Sequence, residues 1–435
     1  MKKALLIFLA SIVLLLLSAF WYLNANYFII TGYAAKKLCG CHLIAQRNIE
    51  SILSEDLAQF PLNFVDLKIE RNQTAVASLF GYWESKVKFD GNNCVLVNDH
   101  KLPLPKSSFA KARNIDIPKL ENPSFDIKKI KQASDLIFDQ PNENIKKTRA
   151  LVVVHKDSLI YERYGKGFNK DSRILAWSMN KSIANALVGM LVKDGKLQIE
   201  NKNLFEEWSK DERRDITLND LLQMQSGLDW DEEYAKRSDA TRLLFEEFNC
   251  SSFAIDQPLE AKPGSYWEYS SGTTNVISNL IRETIGNDSL YRNYPYEALF
   301  DKLGMSSMTL DTDQAGNYIL SSFGYATPRD WAKFGLLYLN NGIVQGDTIL
   351  DKSWIDYSVK PAAHCEDKSY GAQFWLNAGL VYPDVPEDMF SCNGYQGQYV
   401  FIIPSEDLVV VRMGLTNRDA LDMNDCLSQI IKVIN

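Results

Sequence analysis

The spacing of apolar residues predicts a helix over residues 176–197. The apolar positions follow the i, i+3, i+4, i+7 and i+8 spacing of a single buried face, and they are Ile183, Ala186, Leu187, Met190 and Leu191. Gly195 favours a helix end, because glycine readily adopts the left-handed conformation. Ser178 stands in the first turn, and Lys181 follows one turn later on the same side. A cation near a helix N-terminus opposes the helix dipole, so this lysine needs a separate explanation.

Apolar runs at the two ends of residues 149–435 predict a sheet shared by both ends. Residues 150–165 and 399–414 each contain two short strand-like runs around a polar turn, and a helical pattern follows at 420–434. Helical patterns dominate about 200–365, which we interpret as an insertion. The predicted fold class is therefore α/β (α+β), with one sheet, flanking helices and a helical subdomain.

The residues before 149 divide into three predicted parts. Residues 1–30 contain Lys2 and Lys3, followed by 20 residues without a charge, which is about the length a helix needs to cross a bilayer. We interpret this segment as an uncleaved membrane anchor with its lysines inside, because a cleavable signal has a shorter apolar region. The pattern over residues 31–110 predicts a small α+β region. The polar, proline-containing residues 111–148 are predicted to form a connector.

The composition is that of an ordinary globular protein, with 46% hydrophobic residues and a formal net charge of −8. No Lys/Arg tract follows the predicted anchor, which argues against nucleic acid as a partner because phosphate binding needs a basic patch. A small molecule or a peptide is the expected substrate. Four scattered histidines, without a CxxC or HExxH motif, argue against a metal site.

Seven cysteines follow the predicted anchor. An exported domain meets an oxidising compartment in which thiols pair, and an odd count leaves at least one thiol free or paired between chains. The sequence leaves both the connectivity and the oligomeric state open. We expect a membrane-anchored protein whose main domain lies outside the cytoplasm, on the periplasmic or extracellular side.

Ser178 and Lys181 form a Ser-x-x-Lys pair on a predicted helix, where the hydroxyl and the amine lie one turn apart. A neutral amine there could take the hydroxyl proton, and backbone N–H groups at the helix start point toward a developing anion. The same spacing occurs at Ser85, in a strand-like run, and at Ser108, in the proline-rich connector. By itself, the pair on the helix could equally be a capping serine followed by a surface lysine.

Two further stretches contain candidate chemistry. The stretch PGSYWEYSSGTTNVISNLIRETIG places Tyr269 and Ser271 in a turn before an amphipathic helix, and NGYQGQYVFIIP places Tyr395, Gly397 and Gln398 at the start of a buried strand. The order of these motifs resembles that of the serine β-lactamase and penicillin-binding-protein superfamily. A serine and a lysine come first, a tyrosine follows, and a glycine-bearing strand edge comes last. The resemblance is to its class C-like esterase and amidase branch, which includes the 6-aminohexanoate-dimer hydrolases. It covers the whole predicted main domain.

The resemblance implies a β-lactamase-like fold with an antiparallel sheet. It also implies a covalent acyl-enzyme route that uses neither a metal nor an organic cofactor. Ser178 would be the nucleophile, Lys181 would help to deprotonate it, and Tyr269 would be the proton shuttle, with its phenol against the lysine ammonium. The oxyanion hole would consist of the backbone N–H groups of Ser178 and Gln398.

Two departures from the family restrict the expected substrate. Class C β-lactamases and transpeptidases have Tyr-x-Asn where this chain has Tyr-Ser-Ser ending at Ser271. They have Lys-Thr-Gly where it has Tyr395, Gln396 and Gly397. The missing lysine commonly engages a substrate carboxylate, which points away from penicillins. We expect a serine hydrolase (carboxylesterase or amidase) of small esters or amides. Two alternatives stay open, a D,D-peptidase or β-lactamase-type cell-wall enzyme and a non-catalytic binding protein on the same fold.

The resemblance also implies a disulfide between Cys39 and Cys94, because relatives have cysteines near both places. The second expected pair is Cys365 with Cys392.

Overall fold

The computed structural model describes residues 2–97, 113, 115–121, 123–416 and 420–435. The Ser-x-x-Lys pattern at Ser108 and the first residues of the predicted connector lie outside the described residues. The chain divides into two units, of which the first comprises residues 1–103 and 231–248 and the second comprises residues 104–230 and 249–435.

Helices and strands are numbered along the described chain. The helices are α1 (Lys2–Leu38), α2 (Ile49–Ser51), α3 (Ile127–Asp135), α4 (Asn180–Lys193), α5 (Leu218–Leu222), α6 (Asp239–Phe245), α7 (Cys250–Ile255), α8 (Ser271–Ile285), α9 (Asp288–Tyr294), α10 (Asp301–Leu303), α11 (Pro328–Leu339), α12 (Lys352–Ser358) and α13 (Met423–Ile434). The strands are β1 (Val65–Ile69), β2 (Thr74–Leu79), β3 (Trp83–Phe89), β4 (Cys94–Val97), β5 (Thr148–His155), β6 (Ser158–Tyr164), β7 (Ile174–Leu175), β8 (Thr309–Leu310), β9 (Gly324–Ala326), β10 (Ile343–Val344), β11 (Asp347–Thr348), β12 (Trp375–Leu376), β13 (Phe390–Gly394), β14 (Gln398–Ile403) and β15 (Leu408–Gly414).

The first unit is organised around α1, whose first half is exposed and whose second half is buried. Residues 2–22 are exposed throughout, whereas residues 34–38 are buried. Among the described residues, α1 is the helix long and apolar enough to cross a membrane, a test that a signal sequence also passes. Its buried half contacts β2 and β3. It also lies close to α6, since a Cβ at Gly32 would lie 2.9 Å from the Phe245 Cβ.

An antiparallel sheet in the order β1-β2-β3-β4 completes the first unit. Cys39, which directly follows α1, forms a disulfide with Cys94 at the start of β4. This confirms the first expected disulfide pair. Ser85 lies on β3, so the Ser-x-x-Lys pattern there stands on a strand, as predicted.

The second unit contains an antiparallel sheet in the order β12-β13-β14-β15-β5-β6. β15 pairs with β5, and this pairing joins the two ends of the unit as the apolar runs predicted. Helix α11 covers one face so closely that a Cβ at Gly335 would lie 2.6 Å from a Val409 methyl. Helices α3 and α13 pack together on the other face, where Leu427 and Ile430 join the apolar core with Phe401 of the sheet.

Helices α5 to α12 lie between residues 200 and 365, as the helical patterns predicted. A small sheet in the order β7-β9-β8 leads into α4. In it, the Ala176 N–H donates to the Gly324 carbonyl at 2.8 Å. This sheet and α8 therefore fix the start of α4, where Ser178 stands.

Arg412, on β15, lies fully buried under the turn that joins β13 to β14. Its guanidinium donates to the carbonyl oxygens of Gln396 at 3.3 Å and Gly397 at 2.6 Å, and to Thr148 Oγ1 at 2.7 Å. Gly397 has a φ of +75°, and a Cβ there would lie 2.5 Å from the guanidinium. The turn therefore depends both on the glycine at position 397 and on the buried guanidinium of Arg412, which donates to its carbonyl oxygens.

The expected Cys365–Cys392 disulfide is wrong, because both residues are buried free thiols. Cys365 Sγ lies 3.1 Å from Asp367 Oδ1 as a hydrogen-bond donor, whereas Cys392 is buried on β13. Burial raises the pKa of the Cys392 thiol to about 12, which keeps it protonated and unreactive.

Replacing Arg412 with methionine should destabilise the second unit. Each buried carbonyl left without a donor costs about 1–3 kcal/mol, so we expect a loss of about 3 kcal/mol in the free energy of unfolding, measured in urea. Arg214 is exposed, and Arg214→Met should change this free energy by less than about 0.5 kcal/mol. Equal losses in the two variants would contradict the role of Arg412.

Candidate active site

Ser178 lies in one turn of 3₁₀ helix, Trp177–Met179, that leads directly into α4. Trp177 has a φ of +51°, a left-handed conformation that is costly for a bulky residue. From Ile174 to Leu191 every residue is buried except Ser178, which is partly exposed. This buried segment therefore leaves one residue, Ser178, partly exposed to solvent.

Lys181 brings three parts of the chain together. Its Nζ donates to Ser178 Oγ at 3.2 Å, to Ser271 Oγ at 3.0 Å and to the Ser321 carbonyl at 3.4 Å. The side chain is only 2% exposed. A buried amine needs such hydrogen-bond partners, and they explain why a lysine is tolerated near the start of a helix. The two side chains that the sequence paired by spacing thus lie within hydrogen-bond distance.

Tyr269 contacts Lys181 through the face of its ring. The Lys181 Nζ lies 4.7 Å from the ring centroid, whereas the resemblance implied that the phenol would lie against the ammonium. The rings of Tyr370 and Trp375 pack against it, with centroids 5.9 and 5.4 Å away. Together with their neighbours they form a cluster that we call the apolar wall, comprising Met224, Trp267, Ala362, Cys365, Tyr370 and Trp375.

Ser271 is the first residue of α8 and is fully buried. The preceding Ser270 caps this helix, since its side chain accepts a hydrogen bond from the Thr273 N–H. The cap fixes the helix start, and the Ser271 hydroxyl is thereby held where it accepts from Lys181. Ser271 consequently orients the amine.

The turn at residues 395–397 packs on Trp177, the residue before the predicted nucleophile. The rings of Tyr395 and Trp177 are nearly perpendicular, with centroids 5.7 Å apart. Trp177 Nε1 also donates to Gln396 Oε1 at 3.3 Å. A Cβ at Gly394 would lie 2.2 Å from a backbone oxygen just before the 3₁₀ turn. The third predicted stretch therefore meets the first at the candidate site.

Gln398 begins β14, and its side chain holds the turn from inside. Its Nε2 donates to the backbone oxygens of Tyr395, Gln396 and Gly414, at 3.0, 3.1 and 2.7 Å. Its main chain lies opposite Gly394 in the β13–β14 hairpin.

The outer edge of β13 extends beyond its pairing with β12, which covers Phe390 and Ser391. The Asn377 N–H donates to the Met389 carbonyl at 2.9 Å, so the backbone groups of Met389 face β12. Alternate residues of an antiparallel strand direct their backbone groups to the same side, which places those of Asn393 on the outer edge. The Asn393 side-chain oxygen is buried and has no hydrogen-bond partner among the described residues. β13 also contacts the 3₁₀ turn.

Sequence reasoning missed three residues of this site, Trp177, Ser321 and Asn393. Ser321 contributes a backbone oxygen, which leaves no side-chain signal in the sequence. The conformation of Trp177 and the edge position of Asn393 depend on tertiary packing and strand register. The only available signal was a large aromatic residue directly before Ser178.

Comparison with known proteins supports the expected family. A model of the beta-lactamase family matches residues 142–430. The 6-aminohexanoate-dimer hydrolase of Paenarthrobacter ureafaciens is 23% identical over 293 residues, covering 61% of this chain and 72% of that protein.

Solved structures with the same fold are also found. A Bacillus anthracis protein provisionally described as a 6-aminohexanoate-dimer hydrolase is 21% identical, with a TM-score of 0.58, covering 89% of this chain and 96% of that one. A family VIII carboxylesterase is 16% identical, with a TM-score of 0.60, covering 74% of this chain and 100% of that one. These structures confirm the β-lactamase-like fold. Because the family model matches more than half of the chain, the protein belongs to the beta-lactamase family.

Proposed function

We propose that this protein is a serine hydrolase that acts on small esters or amides through an acyl-enzyme on Ser178. The observation that carries the proposal is the 3.2 Å contact between Lys181 Nζ and Ser178 Oγ, in a segment where only Ser178 is partly exposed. Nucleophilic catalysis requires a hydroxyl that is open to a ligand and positioned beside a base. A hydrolase and an esterase among the similar proteins support the reaction class.

The proposed reaction has two halves. In the first, the Lys181 amine has given up one proton, so that the Ser178 hydroxyl now donates to its nitrogen. The Ser178 oxygen then bonds to the substrate carbonyl carbon while its proton passes to that amine. The bond to the leaving alcohol or amine then breaks, Tyr269 gives that group a proton, and Lys181 returns a proton to Tyr269. In the second half, water attacks the acyl-enzyme, the acid is released and Ser178 regains its proton. Catalytic hydrogen bonds often tighten only in the substrate complex, which allows the Tyr269 hydroxyl to reach the reacting atoms.

The carbonyl oxygen gains negative charge in this reaction and needs N–H donors. We assign them to the backbone N–H groups of Ser178 and Asn393. The sequence indicated Gln398 as the second donor, but its main chain lies opposite Gly394 inside the hairpin, whereas Asn393 faces the outer edge of β13. Removing one such donor from a hydrolase costs about 2.7–4 kcal/mol of transition-state stabilisation.

The proposed substrate is uncharged near the scissile bond. By the resemblance, Tyr395 takes the place of the lysine of class C β-lactamases and transpeptidases, and it is half exposed. A neutral phenol offers one hydrogen bond of about half the strength of a charge-assisted bond to a carboxylate. The apolar wall beside Tyr269 favours an apolar acyl or leaving group.

We also propose that α1 is kept as a membrane anchor and that the hydrolase lies outside the cytoplasm. The lysines at its start and the exposed apolar residues after them support the anchor. The Cys39–Cys94 disulfide supports the location, because disulfides persist in oxidising compartments.

Ser178→Ala should abolish covalent labelling by a fluorophosphonate and abolish ester hydrolysis. The loss in stability should be only about 1 kcal/mol, because Lys181 keeps two other hydrogen-bond acceptors. Ser182→Ala is the matched control, since Ser182 stands on the same helix but is buried and donates to the Gln373 carbonyl at 2.8 Å. It should keep labelling and turnover. Normal turnover by Ser178→Ala would refute the nucleophile.

The purified full-length protein should hydrolyse a short-chain p-nitrophenyl ester faster than nitrocefin, because Tyr395 offers no charge to the β-lactam carboxylate. Tyr395→Lys should raise the ratio of nitrocefin to ester turnover about tenfold, which corresponds to about 1.4 kcal/mol. Tyr395→Phe is the control, because it keeps the ring against Trp177 and adds no charge. A wild-type protein that prefers nitrocefin would contradict the proposed substrate class.

A membrane-impermeant fluorophosphonate should label the protein in right-side-out membrane vesicles and not in inverted ones until detergent is added. The mass of the membrane-bound protein should include Lys2 and Lys3, because the anchor is kept. Labelling of inverted vesicles without detergent would contradict the proposed side, and a mass lacking the first helix would contradict the anchor.

A further inference from the structure

Aromatic residues gather where the exposed half of α1 meets the rest of the first unit. The Phe20 ring lies 5.3 Å from the Trp83 ring and 6.0 Å from the Tyr82 ring, measured between centroids. Trp83 Nε1 donates to Asn24 Oδ1 at 3.2 Å, one turn further along the helix. The β2–β3 hairpin therefore lies beside α1 at the end of the exposed apolar run.

The tip of this hairpin presents aromatic rings to solvent. Phe80 is 66% exposed and Tyr82 is 68% exposed. Trp21 and Tyr22 of α1, which follow Phe20 in the chain, are exposed to a similar extent. We call Phe20, Trp21, Tyr22, Phe80 and Tyr82 the aromatic collar.

The backbone conformation at the tip of the hairpin is unusual for a residue as large as Phe80. Phe80 has a φ of +54° and Gly81 one of +67°, and the Tyr82 N–H donates to the Leu79 carbonyl at 3.2 Å. Tight hairpin turns of this kind favour Asn, Asp or Gly at both central positions, because a bulky side chain is strained there. Phe80 thus combines a strained backbone with an exposed apolar side chain. This combination indicates that the ring contacts an environment less polar than water.

The dimensions of α1 place the collar at the edge of a bilayer. The apolar run from Ala4 to Leu23, which ends at Asn24, is about 30 Å long as a helix, and this length matches the hydrocarbon thickness of a membrane. Lys2 and Lys3 mark one end of the run, and the collar marks the other. Tyrosine and tryptophan concentrate at such boundaries, since their rings are apolar and their polar atoms reach water.

We propose that the aromatic collar inserts into the interfacial layer of a lipid bilayer, so that the β2–β3 hairpin is a second membrane contact beside α1. The proposal rests on the anchoring proposed above. The two contacts lie side by side within the first unit, and together they restrict its tilt and rotation relative to the membrane, because a single helix with no second contact can rotate about its own axis.

The test uses the full-length protein in nanodiscs that hold one copy each. Single cysteines are introduced by Phe80→Cys, Leu14→Cys and Asn72→Cys and are labelled with a polarity-sensitive fluorophore under native conditions. The native thiols outside the disulfide are buried. Leu14 lies in the exposed apolar run, and Asn72 lies in the exposed β1–β2 turn at the opposite end of the sheet from Phe80. Fluorescence is measured with and without lipids that carry a quenching spin label near the headgroup.

The proposal predicts blue-shifted emission and lipid quenching at position 80, and neither effect at position 72. The label at position 14 should be shielded from water and should report insertion of α1. If the label at position 14 is shielded from water but the label at position 80 is not quenched by the lipid, the collar proposal is overturned. The anchor proposal then stands. A label at 80 that is shielded from water yet unaffected by the spin-labelled lipid would overturn it in favour of a protein partner. A label at 14 that is exposed to water would overturn both proposals about the membrane, whereas fluorophosphonate labelling of Ser178 would be unaffected.

Discussion

The burial of the Lys181 amine is the constraint on which the candidate site depends. A cation at this point opposes the dipole of α4, and burial adds a desolvation cost. Three oxygens from separate parts of the chain surround the Nζ, one from the 3₁₀ turn, one from the start of α8 and one from the loop before β9. Because each oxygen must be in place, the lysine fixes the relative positions of these segments and of Ser178.

Much of the fold of the second unit could be predicted from periodicity, because its strands and helices bury continuous apolar runs. The runs at 150–165 and 399–414 form four consecutive strands of the sheet, in the order β14-β15-β5-β6. Helix α8 forms where its sequence indicates, whereas α4, for which the sequence indicates one buried face, is buried on all sides from Asn180 to Leu191. The assignment of residues 231–248 to the first unit could not be predicted, since it depends on packing between segments distant in the chain. The prediction of a Cys365–Cys392 disulfide was wrong for a similar reason, because tertiary packing buries the two thiols without pairing them.

The candidate site was predictable where side-chain types carry the chemistry. The spacing of Ser178 and Lys181 follows from helix geometry, and their contact agrees with it. Features that depend on backbone direction were not predictable. Strand register and buried hydrogen bonds determine three such features. They are the left-handed conformation of Trp177, the outer-edge position of Asn393 and the support that Arg412 gives to the turn at 395–397. Residue types alone indicated which stretches meet, whereas the register indicates which backbone groups lie on the outer edge of β13.

The most direct test of the central claim is mass spectrometry of the intact protein, quenched in acid shortly after mixing with a slowly hydrolysed p-nitrophenyl ester. The account predicts a transient mass increase equal to one acyl group, located by peptide mapping on Ser178 and lost as the free acid appears. Lys181→Met should keep the fold but slow the formation of this adduct, because the amine that accepts the Ser178 proton is gone. An acyl group on another residue, or turnover of the ester with no acylated protein at any time, would contradict the account.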